Sequence, residues 1–141
     1  MPDAVIISAV RTAIGTYGGA LRDISPITLG REAVSAAMAQ AKIAPEAVDE
    51  VILGMIYQGG QGPNPARQAA VHAGLPYSVP AMTVNKLCGS GLKAVALAAS
   101  AVRAGEADAI VAGAEARLRA GDLKGAVNAL KGLSSHARAA K

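Results

Sequence analysis

The sequence predicts an α/β fold in which a mostly parallel sheet carries helices on both faces. Short apolar segments rich in β-branched residues alternate with longer segments of helical periodicity, and glycine and proline separate them. Hydrophobic residues make up 52% of the 141 residues and charged residues 17%, which is enough apolar material for one ordinary domain. Alternating strands and helices of this kind give βαβ units. The predicted order is βαβαβαβ.

The first two strand and helix pairs lie before residue 75. The run AVIIS at residues 4–8 and the run VILGMIY at residues 51–57 are continuous apolar segments, which predict buried strands. Residues 28–41 follow Ser25-Pro26 and repeat apolar side chains at helical spacing, so they predict a helix. Residues 65–73 predict a second helix, which Asn64-Pro65 opens and Gly74 ends.

The remaining predicted elements are a strand at residues 82–85, a helix at 89–103 and a strand at 109–113. The third helix, with LKAVALAASAV at its centre, is apolar nearly all round, with Lys93 and Ser100 as the polar exceptions. A helix on a domain surface normally shows a polar face. We therefore expect a further element or another chain to cover this helix, because four short strands cannot bury more than one side of it.

Residues 115–141 differ in character from the body, which we place at residues 1–114. The body holds eight Lys/Arg and eight Asp/Glu, whereas the tail holds six against two, so the tail carries the whole net charge of +4. Asp122 could cap a basic amphipathic helix with Leu123, Ala126, Val127 and Leu130 on its apolar stripe. The tail has no aromatic residue on which bases could stack, so nucleic-acid binding is not expected.

Composition excludes several other classes of function. Cys88 is the only cysteine, and the histidines are His72 and His136, so the residues form neither a disulfide nor a zinc centre. No long uncharged run predicts a membrane span, and the start lacks the pattern of a secretory signal. We expect a cytoplasmic protein with no metal.

Cys88 lies at the junction between the third strand and the third helix, in NKLCGSGL. Unpaired amides and the positive end of a helix dipole stabilise a thiolate at such a position. The amides of Gly89 and Ser90 could donate to an oxyanion, and the glycines leave room for a substrate carbonyl. A lone cysteine is also often a small buried apolar residue, so packing remains the alternative. The turn fits neither common phosphate-loop spacing, so nucleotide binding is not expected.

The run VNKLCGSGLKAV resembles the acyl-enzyme signature of thiolases. The segments ISAVRTAIGTYGGALRD, VDEVILGMIYQGGQGPNPARQAA and RAGEADAIVAGA are similar to other segments of the amino-terminal half of that family, in register from about residue 4 to residue 114. The resemblance implies the first half of a thiolase-like fold, in which the helix after the cysteine packs against its counterpart from a second half. It also implies that Cys88 accepts an acyl group from acyl-CoA, with the coenzyme A thioester as substrate and no tightly bound cofactor.

The same resemblance implies that part of a thiolase active site lies in later sequence. Family members continue after the fourth strand with a Gly-Met-Glu-Ser-Met-Ser-like stretch, and they supply a Gly-His-Pro histidine and a second cysteine further on. None of these motifs follows Gly113 here. The expectation is therefore a truncated thiolase-type acyltransferase. The alternative is a non-catalytic module that acts by association, as a homo-oligomer or with another thiolase-like chain. β-Ketoacyl synthases share the implied fold and a nucleophilic cysteine, but the amino-acid sequence around Cys88 is closer to that of thiolases.

Overall fold

A computed structural model describes residues 3–114 and 127–133, which form one five-stranded sheet with three α-helices. The strands are β1 (Asp3–Val10), β2 (Glu50–Gly54), β3 (Ala81–Val84), β4 (Ala109–Ala114) and β5 (Val127–Leu133), and the helices are α1 (Pro26–Ala41), α2 (Pro65–His72) and α3 (Ser90–Ala104). A 3-10 turn at Pro45–Ala47 precedes β2. All seven elements predicted for the body are present in the predicted order.

The sheet has the strand order β1-β5-β4-β2-β3. Strand β2 pairs in parallel with both β3 and β4, whereas β5 lies between β1 and β4 and runs antiparallel to each of them. The four strands that were predicted therefore share one direction. The prediction of an α/β fold with a mostly parallel sheet is confirmed.

Two apolar cores lie on opposite faces of the sheet. Alternation along β2 sends Val51 and Leu53 to the core beneath α1 and α2, and Ile52 to the core beneath α3. Strand β4 alternates in the same way, with Val111 on the first face and Ile110 on the second. Helices cover both faces, as predicted. The carboxyl ends of β2 and β3 are thereby placed beside the start of α3.

Local side chains set the helix boundaries. The Ser25 hydroxyl accepts a hydrogen bond from the Thr28 N–H at 3.0 Å, and Pro26 occupies the first turn. Proline fits this position because its missing N–H would have no partner there. Helix α1 consequently begins two residues before the predicted residue 28.

The predicted helix in the tail is wrong where the structure describes it. Residues Val127–Leu133 form strand β5, while Asp122 and the rest of the predicted helix lie outside the described residues. An isolated segment with a helical stripe gains little stability alone. Between β1 and β4 the same backbone pairs on both edges, and this tertiary context overrides the local pattern.

Helix α3 buries a single narrow stripe. The buried residues are Ser90, Ala94, Ala98 and Val102, at intervals of four, and Leu92 on another side is 77% exposed. The expectation that the sheet covers only one side of this helix is confirmed. By length and composition alone, the stretch Leu87–Ala104 is also apolar enough to cross a membrane. This is weak evidence for a membrane span, because core helices of soluble proteins meet the same criterion.

Candidate active site at the start of helix α3

Cys88 lies in the short turn between the end of β3 and the first residue of α3. Its side chain is exposed, and Gly89 occupies the N-cap position directly before Ser90. This is the junction that the sequence predicts for Cys88. The alternative, in which Cys88 is a buried packing residue, does not hold in this structure, because the residue is exposed.

The hydroxyl of Ser90 closes the turn around Cys88. It accepts a hydrogen bond from the Lys86 N–H at 2.8 Å and donates one to the Leu87 carbonyl at 2.6 Å. The Ser90 side chain is only 4% exposed, so these bonds are made largely out of water. These bonds link Ser90, which follows Cys88, to the two residues that precede Cys88. They therefore limit how far the cysteine backbone can move.

Leu87 adopts a left-handed backbone conformation with φ at 47°. A non-glycine residue rarely takes this conformation without support from its surroundings. Asn85 gives that support, since its Oδ1 accepts from the Leu87 N–H at 3.0 Å and its Nδ2 donates to the Ile56 carbonyl at 3.0 Å. The Leu87 side chain itself is 67% exposed. The turn is thus attached to the segment that follows β2.

Gly54, the last residue of β2, lies directly against the start of α3. A Cβ atom at this position would stand 2.5 Å from the Ser90 carbonyl carbon and 2.6 Å from the Gly91 nitrogen. Any larger residue would push the helix start away. Glycine therefore permits the close approach that seats Ser90 and fixes the position of the turn.

The amides of Gly89 and Ser90, for which an oxyanion role is predicted, make hydrogen bonds within the turn in this conformation. The Gly89 N–H donates to the Lys86 carbonyl and the Ser90 N–H donates to the Leu87 carbonyl, both at 3.0 Å. Tight turns use their own amides in this way, so in this conformation neither N–H is free for an oxyanion. Within the described residues, the N–H groups of Gly91 and Leu92 make no such bond to a carbonyl outside the helix.

The turn also contains Lys86, whereas the two histidines are elsewhere in the chain. His72 is exposed at the end of α2, and His136 lies outside the described residues. Within the part of the chain that the structure describes, no group of three or more His, Cys, Asp or Glu side chains could hold a metal ion. The pKa of Glu50, at the start of β2, is raised above its ordinary value by partial burial and by the nearby charge of Glu106.

Sequence reasoning missed three residues of this site: Asn85, Ser90 through its hydroxyl, and Gly54. A local signal existed for Asn85, because an asparagine side chain often bonds the backbone two residues further on. The contact of Gly54 depends on tertiary packing between residues far apart in sequence. No pattern in the sequence reports such a distance.

The amino-acid sequence of this chain is similar to one family model and to curated proteins. A family model described as the thiolase N-terminal domain matches residues 4–139. The chain is 54% identical over 120 residues to an acetyl-CoA acetyltransferase of Cupriavidus necator, which covers 85% of this chain and 30% of that protein. It is 56% identical over 113 residues to an acetyl-CoA acetyltransferase of Escherichia coli, covering 80% of this chain and 29% of that protein.

The similarity covers most of this chain but only part of each relative. The chain spans about three tenths of the length of the curated relatives that it matches. The family match also continues beyond residue 114, where the resemblance read from the sequence segments ends. The division of the chain at residue 114 therefore stays a prediction.

Proposed function

The chain belongs to the thiolase family, and from this premise we propose that it supplies the acyl-accepting cysteine, Cys88, of a thiolase-type acyltransferase. The observation that carries the proposal is the exposed cysteine in a hydrogen-bonded turn at the start of α3. Relatives about half identical to this chain bear the name acetyl-CoA acetyltransferase, which supports acyl-CoA as the substrate class. We propose no tightly bound cofactor and a cytoplasmic location.

The proposed step is thioester exchange at one sulfur. The Cys88 sulfur, as thiolate, attacks the carbonyl carbon of acyl-CoA and forms a new carbon–sulfur bond. The bond from that carbon to the coenzyme A sulfur breaks, and coenzyme A leaves as a thiolate that takes up the proton given up by Cys88. The helix start favours negative charge beside the reacting sulfur. Once a base has removed the α-proton of a second acyl-CoA, its carbanion would attack this thioester, form a carbon–carbon bond and release Cys88 as a thiolate.

Intact mass spectrometry after incubation with acetyl-CoA tests this proposal. The expected result is addition of one acetyl group, which is lost on treatment with hydroxylamine because thioesters react with that nucleophile. Cys88→Ala is a specific control, because the chain has one cysteine. An adduct of equal size in Cys88→Ala would place the acetyl group elsewhere and would contradict the proposal.

A second candidate is a non-catalytic module that acts by association with another chain or a second copy. The observation that favours it is the open side of α3, where Leu92 is 77% exposed and Ala96 is exposed one turn later, beside the polar Lys93 and Ser100. Apolar surface of this kind often marks an interaction site. Size-exclusion chromatography with light scattering separates the two candidates when it is combined with the acetylation assay. A monomer that becomes acetylated at Cys88 supports the first candidate alone.

A further inference from the structure

We infer that Ser90 is a positioning residue for Cys88. The Ser90 hydroxyl holds the turn in the conformation that presents the Cys88 thiol to an acyl donor. The inference rests on the proposed function of Cys88. Ser90 itself does not touch the substrate in this scheme. It acts through the backbone of residues 86 and 87.

The Ser90 hydroxyl bonds both of the residues that lead into Cys88. The hydroxyl oxygen accepts a hydrogen bond from the Lys86 N–H, and the hydroxyl group donates one to the Leu87 carbonyl. The donor and an acceptor site of the hydroxyl are thus both used on the two residues before Cys88. The Ser90 backbone N–H bonds the same Leu87 carbonyl at 3.0 Å. Three hydrogen bonds from one residue therefore fix the peptide units that lead into Cys88.

The end of β2 packs closely behind Ser90. Gly54 lies so close that a Cβ there would stand 2.7 Å from the Ser90 Cβ atom. The serine side chain is 4% exposed and cannot shift toward the sheet. The end of β2 thus supports Ser90, and Ser90 in turn supports the cysteine turn. This links the position of an exposed sulfur to the rigid centre of the sheet.

The backbone conformation that these bonds hold is unfavourable for leucine. Leu87 has φ at 47°, which a leucine leaves readily when its neighbours no longer enforce it. Without the hydroxyl, Leu87 keeps only its bonds to the Asn85 side chain and the Ser90 N–H, and we expect it to relax toward negative φ and to carry Cys88 with it. A displacement of about 1 Å at a reacting group can lower a rate by about a hundredfold.

The test compares Ser90→Ala with Ser8→Ala. Ser8 lies on β1, is also 4% exposed, and donates its hydroxyl to Gln40 Oε1 at 2.9 Å, so it is a matched buried hydroxyl outside the turn. The acetylation rate of Cys88 by acetyl-CoA is measured for both. We expect a fall of about ten- to a hundredfold in Ser90→Ala and little change in Ser8→Ala.

A rescue variant separates positioning from general loss of stability. Asparagine adopts the left-handed conformation more readily than leucine, and residue 87 is largely exposed. Adding Leu87→Asn to Ser90→Ala should therefore restore part of the lost rate. Equal rate losses in Ser90→Ala and Ser8→Ala, or no recovery in the double variant, would overturn the inference.

Amide hydrogen exchange in the unaltered chain gives a readout that needs neither acyl chemistry nor a folded variant. The Lys86 N–H bonds the Ser90 hydroxyl, so it should exchange slowly although Lys86 is an exposed residue. Exchange of this amide at the rate of an unprotected peptide would overturn the inference. A chain that shows protection but no acetylation would contradict the proposed function and leave the role of Ser90 in the turn intact.

Discussion

At the scale of single residues, Gly54 decides whether α3 can begin where it does. A Cβ built on Gly54 would lie 2.5 to 2.7 Å from atoms of Ser90 and Gly91, which is closer than van der Waals contact allows. The backbone at the start of α3 would have to move to relieve this overlap. We expect Gly54→Ala to destabilise the fold by about 1 to 3 kcal/mol, the usual cost of overpacking. Chemical denaturation monitored by circular dichroism measures this change.

Gly59→Ala is the matched control for that substitution. No heavy atom outside its chain neighbours lies within 4 Å of a Cβ built on Gly59, and its φ is outside the left-handed range. We expect a change of less than about 0.5 kcal/mol, as for most surface substitutions. Similar losses in the two alanine variants would show that the contact with Ser90 is not the cause.

Glu50 makes stability depend on pH in a direction opposite to that of most carboxylates. Its pKa is raised from the ordinary value of 4.5, first by desolvation and then by the charge of Glu106. The folded state therefore binds the Glu50 proton more tightly than the unfolded state, and stability falls as pH rises through the raised pKa. At neutral pH the ionised side chain is unfavourable in the fold.

Glu50→Gln should consequently raise the melting temperature at pH 7. The gain should shrink as pH falls below the raised pKa and should vanish below about pH 4, because Glu50 is then protonated in both states. Thermal unfolding at pH 7, 5 and 4 measures the trend. Glu46→Gln, which removes the same charge from the exposed 3-10 turn, is the control. A gain in Glu50→Gln that does not depend on pH would contradict this account.

At the scale of elements, Asn64 joins the start of α2 to β3. Its Oδ1 accepts from the Arg67 N–H at 3.3 Å and from the Thr83 hydroxyl at 2.7 Å, and its Nδ2 donates to the Ala81 carbonyl at 2.8 Å. Its φ of 45° is also left-handed. We expect Asn64→Ala to cost about 2 to 3 kcal/mol, because it removes the cap and strains the backbone.

Comparison with Asn64→Gly separates the two contributions. Glycine also lacks the side-chain bonds but takes a left-handed conformation without strain, so this variant should be about 1 kcal/mol more stable than Asn64→Ala. Denaturant midpoints of the two variants give the difference. Equal stabilities would mean that the backbone conformation contributes nothing measurable.

The elements show what a sequence can predict and what it cannot. Local signals were sufficient for α1 and α2, where Ser25-Pro26 and Asn64-Pro65 mark the starts, and for β2 and β4, which are short apolar runs. Strand β5 was missed because its conformation depends on pairing with β1 and β4, which are remote in sequence. Periodicity within the segment does not report such partners.

The same division holds for the candidate site. The junction of β3 and α3 and the place of Cys88 in it follow from local sequence, and both were predicted. The exposure of the thiol and the use of the Gly89 and Ser90 amides within the turn depend on Leu87 and on the contact with Gly54. These are consequences of three-dimensional packing, so the oxyanion role assigned to the two amides could not be checked from sequence.

At the scale of the whole molecule, α3 is packed on one side and open on another. Its buried residues form a single stripe against the sheet, while Leu92 is 77% exposed and Ala96 is exposed one turn later. Water contact with apolar side chains is unfavourable by about 25 cal/mol for each Å². We therefore expect the chain to bind an apolar fluorescent dye or to self-associate through this side of the helix.

Leu92→Gln should reduce dye fluorescence and self-association while changing the free energy of unfolding by less than about 0.5 kcal/mol, since the side chain packs against little in the fold. Tyr17→Gln is the control, because Tyr17 is 87% exposed but lies on the connection between β1 and α1. Dye titration and light scattering over a range of protein concentrations measure both effects. If the unaltered chain is a monomer that binds no dye, or if both variants lower the signal equally, then the open side of α3 is an ordinary solvated surface and the association candidate loses its support.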